Sequence, residues 1–189
     1  MPKKPLEEAD LKDLVVLSQE GDTDAFGKLY DHYFESVYRF TAFRVPDEMA
    51  EDLVADIFVK AWEKIHTYKV QKSVPFGAWL FRIARHTVID AYRAQQQTEE
   101  VPEDMEDTDE LNRAETRVKR QHLLKMVRGA MDELPKRYQD VLHLSYIAEL
   151  PSDEVARVLR MRNGAARTLK FRALKKLEEL LPSDIQESM

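Results

Sequence analysis

The chain has no cysteine, only five glycines, and no apolar run approaching the roughly 20 residues of a membrane span. Without cysteine there is no disulfide scaffold, no thiolate zinc site and no Cys nucleophile. Few glycines and few alternating β-branched runs argue against an all-β fold. The opening MPKKPLEEADLKDL lacks the apolar centre of a signal peptide. A soluble cytoplasmic protein without membrane insertion is therefore expected. Also missing are an HExxH pair, a glycine-rich phosphate loop and a nucleophile elbow. His32, His66, His86, His122 and His143 are scattered, and the carboxylates of Asp52 and Asp56 read most simply as a helix surface. No catalytic residue, metal site or cofactor is expected, and the chain is not read as an enzyme.

What is present is helical periodicity and an uneven distribution of charge. At 189 residues and 43% hydrophobic content the chain can pack one domain or two small ones. Its formal net charge is −6, yet RVLRMRNGAARTLKFRALKK, from Arg157 to Lys176, contains no acid. An acid-free basic block inside an acidic protein points to a polyanion. The same block has the grammar of a helix-turn-helix. Ser152 suits an N-cap, and Asp153 and Glu154 favour the start of a helix dipole. Val155, Ala156 and Leu159 form a short apolar stripe, and Met161-Arg162-Asn163-Gly164 supplies a turn. Ala166, Leu169, Ala173 and Leu177 then recur at helical spacing, which leaves Arg167, Thr168, Lys170 and Lys175 on other faces. A short helix, a tight turn and a basic second helix suit a major groove. The bland alternative is a solvated Lys/Arg-rich helix.

The chain breaks in the middle. From Ala94 to Thr116 it is dense in Glu, Asp and Gln and too poor in apolar residues to fold alone. The expected organisation is all-α: a helical domain over 11–94, an acidic flexible linker over 95–117 and a helix-turn-helix domain over 118–182. The linker is either a plain tether or one whose charge keeps the lobes off nonspecific polyanions. In the first domain, helices are expected over Leu11–Glu20, over Thr23 to about Val45, from a capping Asp47 to about His66, and from Pro75 to about Arg93. In the second, one helix should end at Leu134 and another follow Pro135.

Two of these helices carry candidate interfaces. In PFGAWLFRIARHTVIDAYR, Phe76, Trp79, Leu80, Ile83, Ala84 and Val88 share a core face, while Arg82, Arg85, His86 and Arg93 share another. With Lys69, Lys72 and Ser73 in the preceding loop, basic and aromatic residues interleave as single-stranded nucleic acid requires. In DEMAEDLVADIFVKAWEKI, Ala50, Leu53, Val54, Ile57 and Ala61 face inward and Asp52, Asp56, Val59 and Glu63 outward, with Phe58 and Trp62 at the border. An aromatic pair beside carboxylates suits a protein-docking surface, although a core-edge Trp fits the spacing equally.

Together these segments resemble the extracytoplasmic-function group of the RNA polymerase sigma-70 family. GDTDAF followed by Leu29-Tyr30 is similar to that group's opening, and AEDLVADIFVKAW to its polymerase-binding helix. PFGAWLFRIARHTVIDAYR is similar to its promoter-melting helix, and the stretch from Leu134 to Leu177 to its helix-turn-helix domain. The resemblance implies a subunit that binds core RNA polymerase and directs it to promoter DNA. Asp52, Asp56, Phe58, Val59 and Trp62 would then face the polymerase clamp. Lys69, Lys72, Ser73, Trp79, Arg82, Arg85, His86 and Arg93 would lie at the −10 strand, with one base flipped into the 69–74 loop. Arg162, Asn163, Arg167, Thr168, Lys170, Phe171, Arg172 and Lys175 would approach the −35 duplex. The resemblance also implies that an anti-sigma factor could clamp the lobes. The chain departs from the family pattern where Arg160 stands for a common Gly, and where His86 stands for a common Asn. The rival reading is a stand-alone helix-turn-helix regulator that never joins polymerase.

Overall fold

The computed structural model describes residues 8–70, 74–96 and 114–182. The expected Lys72 and Ser73 contacts, and most of the expected linker, lie outside the described residues. Within them the chain is helical and contains no strand. α1 spans Glu8–Gln19, α2 Thr23–Ala42, α3 Asp47–Lys64 and α4 Phe76–Gln96. α5 spans Ala114–Asp132, α6 Lys136–Leu142, α7 Ser152–Val158 and α8 Asn163–Leu180.

Punctuation in the sequence sets most of these ends. The last turn of α1 closes in a Schellman motif: the Asp22 amide donates to Leu17, the Gly21 amide donates to Ser18, and Gly21 sits at φ 96°. Asp22 then caps α2, its carboxylate accepting from the Ala25 amide at 2.9 Å. α2 stops at Ala42, three residues short of the expected Val45, and α3 begins after Pro46. Pro46, rather than Asp47, holds the cap position of α3, and Asp47 is its first helical residue. α3 ends at Lys64 and tightens into a 3₁₀ turn over Ile65–Thr67. Pro75, expected as the first residue of its helix, instead immediately precedes α4, which starts at Phe76 and runs on to Gln96, past the expected Arg93.

The core of the first lobe is aromatic. Ala25, Leu29, Tyr33, Val37 and Phe40 recur along the buried stripe of α2. Phe40 meets Phe81 of α4 edge-on at 5.6 Å, and both are fully buried. Tyr30 packs on Phe58 at 4.5 Å, and Phe26 on Trp62 at 4.9 Å, which joins α2 to α3. Truncating either of the two fully buried phenylalanines to Ala would cost about 3–5 kcal/mol. Behind this core, Gln19 donates to the carbonyls of Ile65 and Tyr68 at 2.8 and 2.6 Å. The Tyr68 hydroxyl in turn donates to the Val74 carbonyl at 2.7 Å.

The second lobe combines two long helices, α5 and α8, with two seven-residue ones, α6 and α7. α5 begins at Ala114, inside the stretch expected as linker. Gln139 donates to the carbonyls of Asp132 and Leu134, satisfying acceptors left open where α5 ends. α6 continues into a π-helical turn over His143–Ile147, closed by the Ala148 amide on His143 at 2.9 Å. α7 and α8 form the expected helix-turn-helix with a shifted turn. Pro151 holds the cap position of α7, and Ser152 is its first helical residue. α8 already begins at Asn163, so Asn163 and Gly164 lie in its first turn rather than in the connection. The connection is a second Schellman motif: the Met161 amide donates to Ala156 and the Arg160 amide donates to Arg157. Arg160 occupies its left-handed position at φ 54°. The Gly164 in the sequence drew the expected turn downstream, whereas the backbone bends at an arginine.

Candidate nucleic-acid and protein interfaces

α8 presents the acid-free face anticipated from the sequence. Ala166, Ala173 and Leu177 are buried, with Leu169 half-buried, and they fix the rotation of the helix. That rotation leaves Arg162, Asn163, Arg167, Thr168, Phe171, Arg172 and Lys175 exposed. Phe171 is 69% exposed, an unusual position for a large apolar ring. Lys170 is half-buried, its ammonium 5.5 Å from the Tyr146 ring, and the Thr168 hydroxyl donates to Gly164. A helix with this face, carried on a second short helix, can enter a major groove and reach both base edges and phosphates.

α4 carries the second basic face. Trp79 is half-buried, 5.4 Å from the Tyr68 ring and 5.3 Å from Phe76. Lys69, His86 and Arg93 are exposed, and Arg93 lies 3.9 Å from Asp90 in a loose surface contact. Arg82 and Arg85 turn toward the second lobe. Arg85 donates to Asp140 Oδ2 through Nε and Nη2 at 3.0 and 2.7 Å, and Arg82 donates to the Arg157 carbonyl. Between the lobes lies a cleft of about 240 Å³ lined by Arg82, Arg85, His86, Arg137, Asp140 and Arg160. Burial, and secondarily the nearby Arg160, lower the Arg82 pKa. In this cleft one carboxylate faces four guanidiniums.

Sequence reasoning missed the centre of that junction. Arg44, just beyond α2, donates to Asp140 Oδ1 at 2.8 Å and to His143 Nδ1 at 2.6 Å. Its guanidinium also lies 4.6 Å from the Phe40 ring. The bond to Nδ1 requires a neutral imidazole. Burial, then the charges of Arg44 and Lys136, push the His143 pKa down to about 2. For Asp140, burial alone would raise the pKa, but the Arg85 hydrogen bond and the Arg44 charge outweigh it, and the net shift is downward. The available signal was the i, i+3 pair Asp140 and His143 flanking the apolar Val141 and Leu142, where α6 passes into the π-helical turn.

α3 offers an acidic face with one apolar centre. Asp52 is exposed, and Asp56 is half-buried and paired with Lys60 at 2.6 Å. Val59 is 54% exposed between them and Trp62. Trp62 is half-buried. Phe58, expected on the docking surface, is only 5% exposed and packs on Tyr30. It supports this face from beneath and does not line it. Among the described residues no group of acidic and histidine side chains could hold a metal, and no helix is long and apolar enough to cross a membrane.

These features define a two-lobed helical protein with a helix-turn-helix in its second lobe. Residues 29–98 match the family described as Sigma-70 region 2, and residues 124–177 match Sigma-70, region 4. The chain is 36% identical over 186 residues to the ECF RNA polymerase sigma factor BldN of Streptomyces coelicolor, covering 97% of this chain and 70% of that protein. It is 29% identical to the ECF RNA polymerase sigma factor SigM of Bacillus subtilis, covering 81% and 93% of the two chains. The solved structure of CnrH in complex with the cytosolic domain of CnrY matches with a TM-score of 0.68 at 25% identity, over 90% of this chain and 96% of that one. The chain therefore belongs to the extracytoplasmic-function group of the sigma-70 family. It is a transcription initiation factor that directs RNA polymerase to promoters.

Proposed function

We propose that the two lobes divide promoter recognition between them. The first, 11–94, docks on core polymerase through the outer face of α3 and receives the melted −10 strand on α4. The second, 118–182, reads the −35 duplex with α8, and the acidic stretch 95–117 joins them. The observation that carries this reading is the order of the two basic faces. A region 2 helix with clustered arginines precedes a region 4 helix whose exposed residues include no acid from Asn163 to Lys176.

The α3 contact is assigned to Asp52, Asp56, Val59 and Trp62, with Phe58 beneath them. The −10 contact is assigned to Lys69, Lys72, Ser73, Trp79, Arg82, Arg85, His86 and Arg93. The −35 contact is assigned to Arg162, Asn163, Arg167, Thr168, Lys170, Phe171, Arg172 and Lys175. The chain acts in the cytoplasm, beside the polymerase, and catalyses nothing alone. CnrH was solved with a protein partner, the cytosolic domain of CnrY. An anti-sigma factor that holds the two lobes is a partner of the same kind for this chain.

Pull-down of core polymerase by the full chain, and of duplex and single-stranded promoter fragments by the resulting complex, tests the division. α3 variants should lose polymerase and α8 variants should lose only duplex selectivity. Duplex binding without any polymerase association would favour the stand-alone regulator.

A further inference from the structure

One carboxylate of the second lobe holds two guanidiniums of the first. Asp140 is 5% exposed and accepts from Arg44 at 2.8 Å and from Arg85 at 2.7 and 3.0 Å. Both oxygens are used, Oδ1 by Arg44 and Oδ2 by two nitrogens of Arg85, in charge-assisted bonds of the kind arginine also makes to a phosphate. The contact is continued on either side. Arg82 donates to the Arg157 carbonyl of α7. Arg39 of α2 donates to the Ile147 carbonyl and pairs with Glu149 at 2.9 Å. Gly77, in the first turn of α4, faces α7: a Cβ there would lie 2.5 Å from a Glu154 carboxylate oxygen, which the flexible Glu154 side chain could withdraw.

The closed arrangement is incompletely neutralised. Asp140 supplies one negative charge between Arg44 and Arg85, while Arg82, Arg137 and Arg160 line the same cleft. The buried Nε of Arg82 has no hydrogen-bond partner among the described residues. A polyanion entering the cleft would supply the missing acceptors, and its phosphates would compete with Asp140 for the same guanidinium.

We propose that Asp140 is the pin of an intramolecular latch, by which the second lobe covers Arg82 and Arg85 and withholds them from single-stranded DNA until the lobes part. The inference rests on the assignment of α4 to the −10 strand. The free protein is then mostly closed, and its affinity for single strands is reduced by the fraction that is open. Asp140 acts here as a stand-in for a DNA phosphate, carried on the chain itself.

The absence of cysteine makes the test direct. Cysteines introduced at exposed Lys28 and Glu178 carry a fluorescent donor and acceptor on the two lobes of the full chain. Asp140→Asn keeps the side-chain volume and removes the charge. It should lower energy transfer and tighten binding of a labelled single strand of mixed sequence about tenfold, if closed outweighs open by about ten to one. If Asp140→Asn fails to melt cooperatively, Glu149→Arg sets a second cation against Arg39 on the exposed rim and should act in the same direction. Unchanged energy transfer in the folded variants overturns the latch. Lower transfer with unchanged single-strand affinity overturns its role in withholding α4. Energy transfer reports the latch whether or not polymerase binds, so failure of the sigma assignment would appear separately, as absence of polymerase association.

Discussion

Above pH 6.5 His143 is neutral whether the chain is folded or unfolded; below it, only the unfolded chain readily takes the proton. Its folded pKa is pushed down to about 2, by burial first and then by Arg44 and Lys136. The stability tied to the neutral ring is therefore complete above pH 6.5 and is lost as pH falls below it, at about 1.4 kcal/mol per unit. Asp140, whose net shift is also downward, adds a loss of the same sign only at lower pH, near the ordinary carboxylate range. Urea melts at pH 7.5 and 5.5 should differ by about 1–1.5 kcal/mol. His143→Gln, which can still accept from Arg44, should flatten that difference; an unchanged slope would place the titration elsewhere. A second residue-scale prediction concerns Val59. It is 54% exposed and carries no core burden, so Val59→Glu should leave the melting temperature alone. It should weaken core polymerase about tenfold, measurable in competition with another sigma factor. Trp62 is a poorer probe, because its ring also packs on Phe26 at 4.9 Å.

The two Schellman motifs make an internal comparison between elements. One has Gly21 in the left-handed position, at φ 96°, and the other has Arg160 there, at φ 54°. A left-handed non-glycine residue costs about 1–2 kcal/mol, partly offset by the greater chain entropy of glycine. Arg160→Gly should therefore stabilise the second lobe by about 0.5–1 kcal/mol, seen as a higher melting temperature; a fall would mean the Arg160 side chain holds the turn. On α8, Arg167→Ala should weaken −35 duplex by about 1–3 kcal/mol and relax preference at one base pair, read in a binding competition across single-base variants. Uniform weakening across sequences would make Arg167 a phosphate contact. The helices themselves were legible because period and punctuation agreed: the apolar stripes of α2 and α4, Gly21, Pro46 and Pro135 each fall where the backbone turns or stops. The helix-turn-helix was legible as a unit but not in its turn, because Arg160 carries a conformation that composition assigns to glycine. Phe58 was misjudged for a related reason: helical spacing places it at a border, and only the Tyr30 ring from α2 decides that it is inside.

At the scale of the whole molecule, the sequence reads as two lobes and a tether, and the structure adds how they meet. The ion pairs that join them link residues 55, 96 and 110 positions apart, Arg85 to Asp140, Arg44 to Asp140 and Arg39 to Glu149. No periodicity or motif encodes such pairings. Of these arginines only Arg85 was legible, as part of the basic face of α4; Arg44, Arg39 and their carboxylate partners were not. Asp140 is the one acid in a short, mixed helix that also carries Lys136, Arg137 and Gln139, and only the packing of the two lobes singles it out. The central claim is that this chain programmes polymerase through both lobes. Run-off transcription tests it most directly, using purified core polymerase and genomic promoter fragments, with and without the protein. Transcripts that depend on the protein, from start sites sharing a −35 and a −10 sequence, are the expected result. No dependent transcript, from a protein that still binds duplex DNA, would contradict the account.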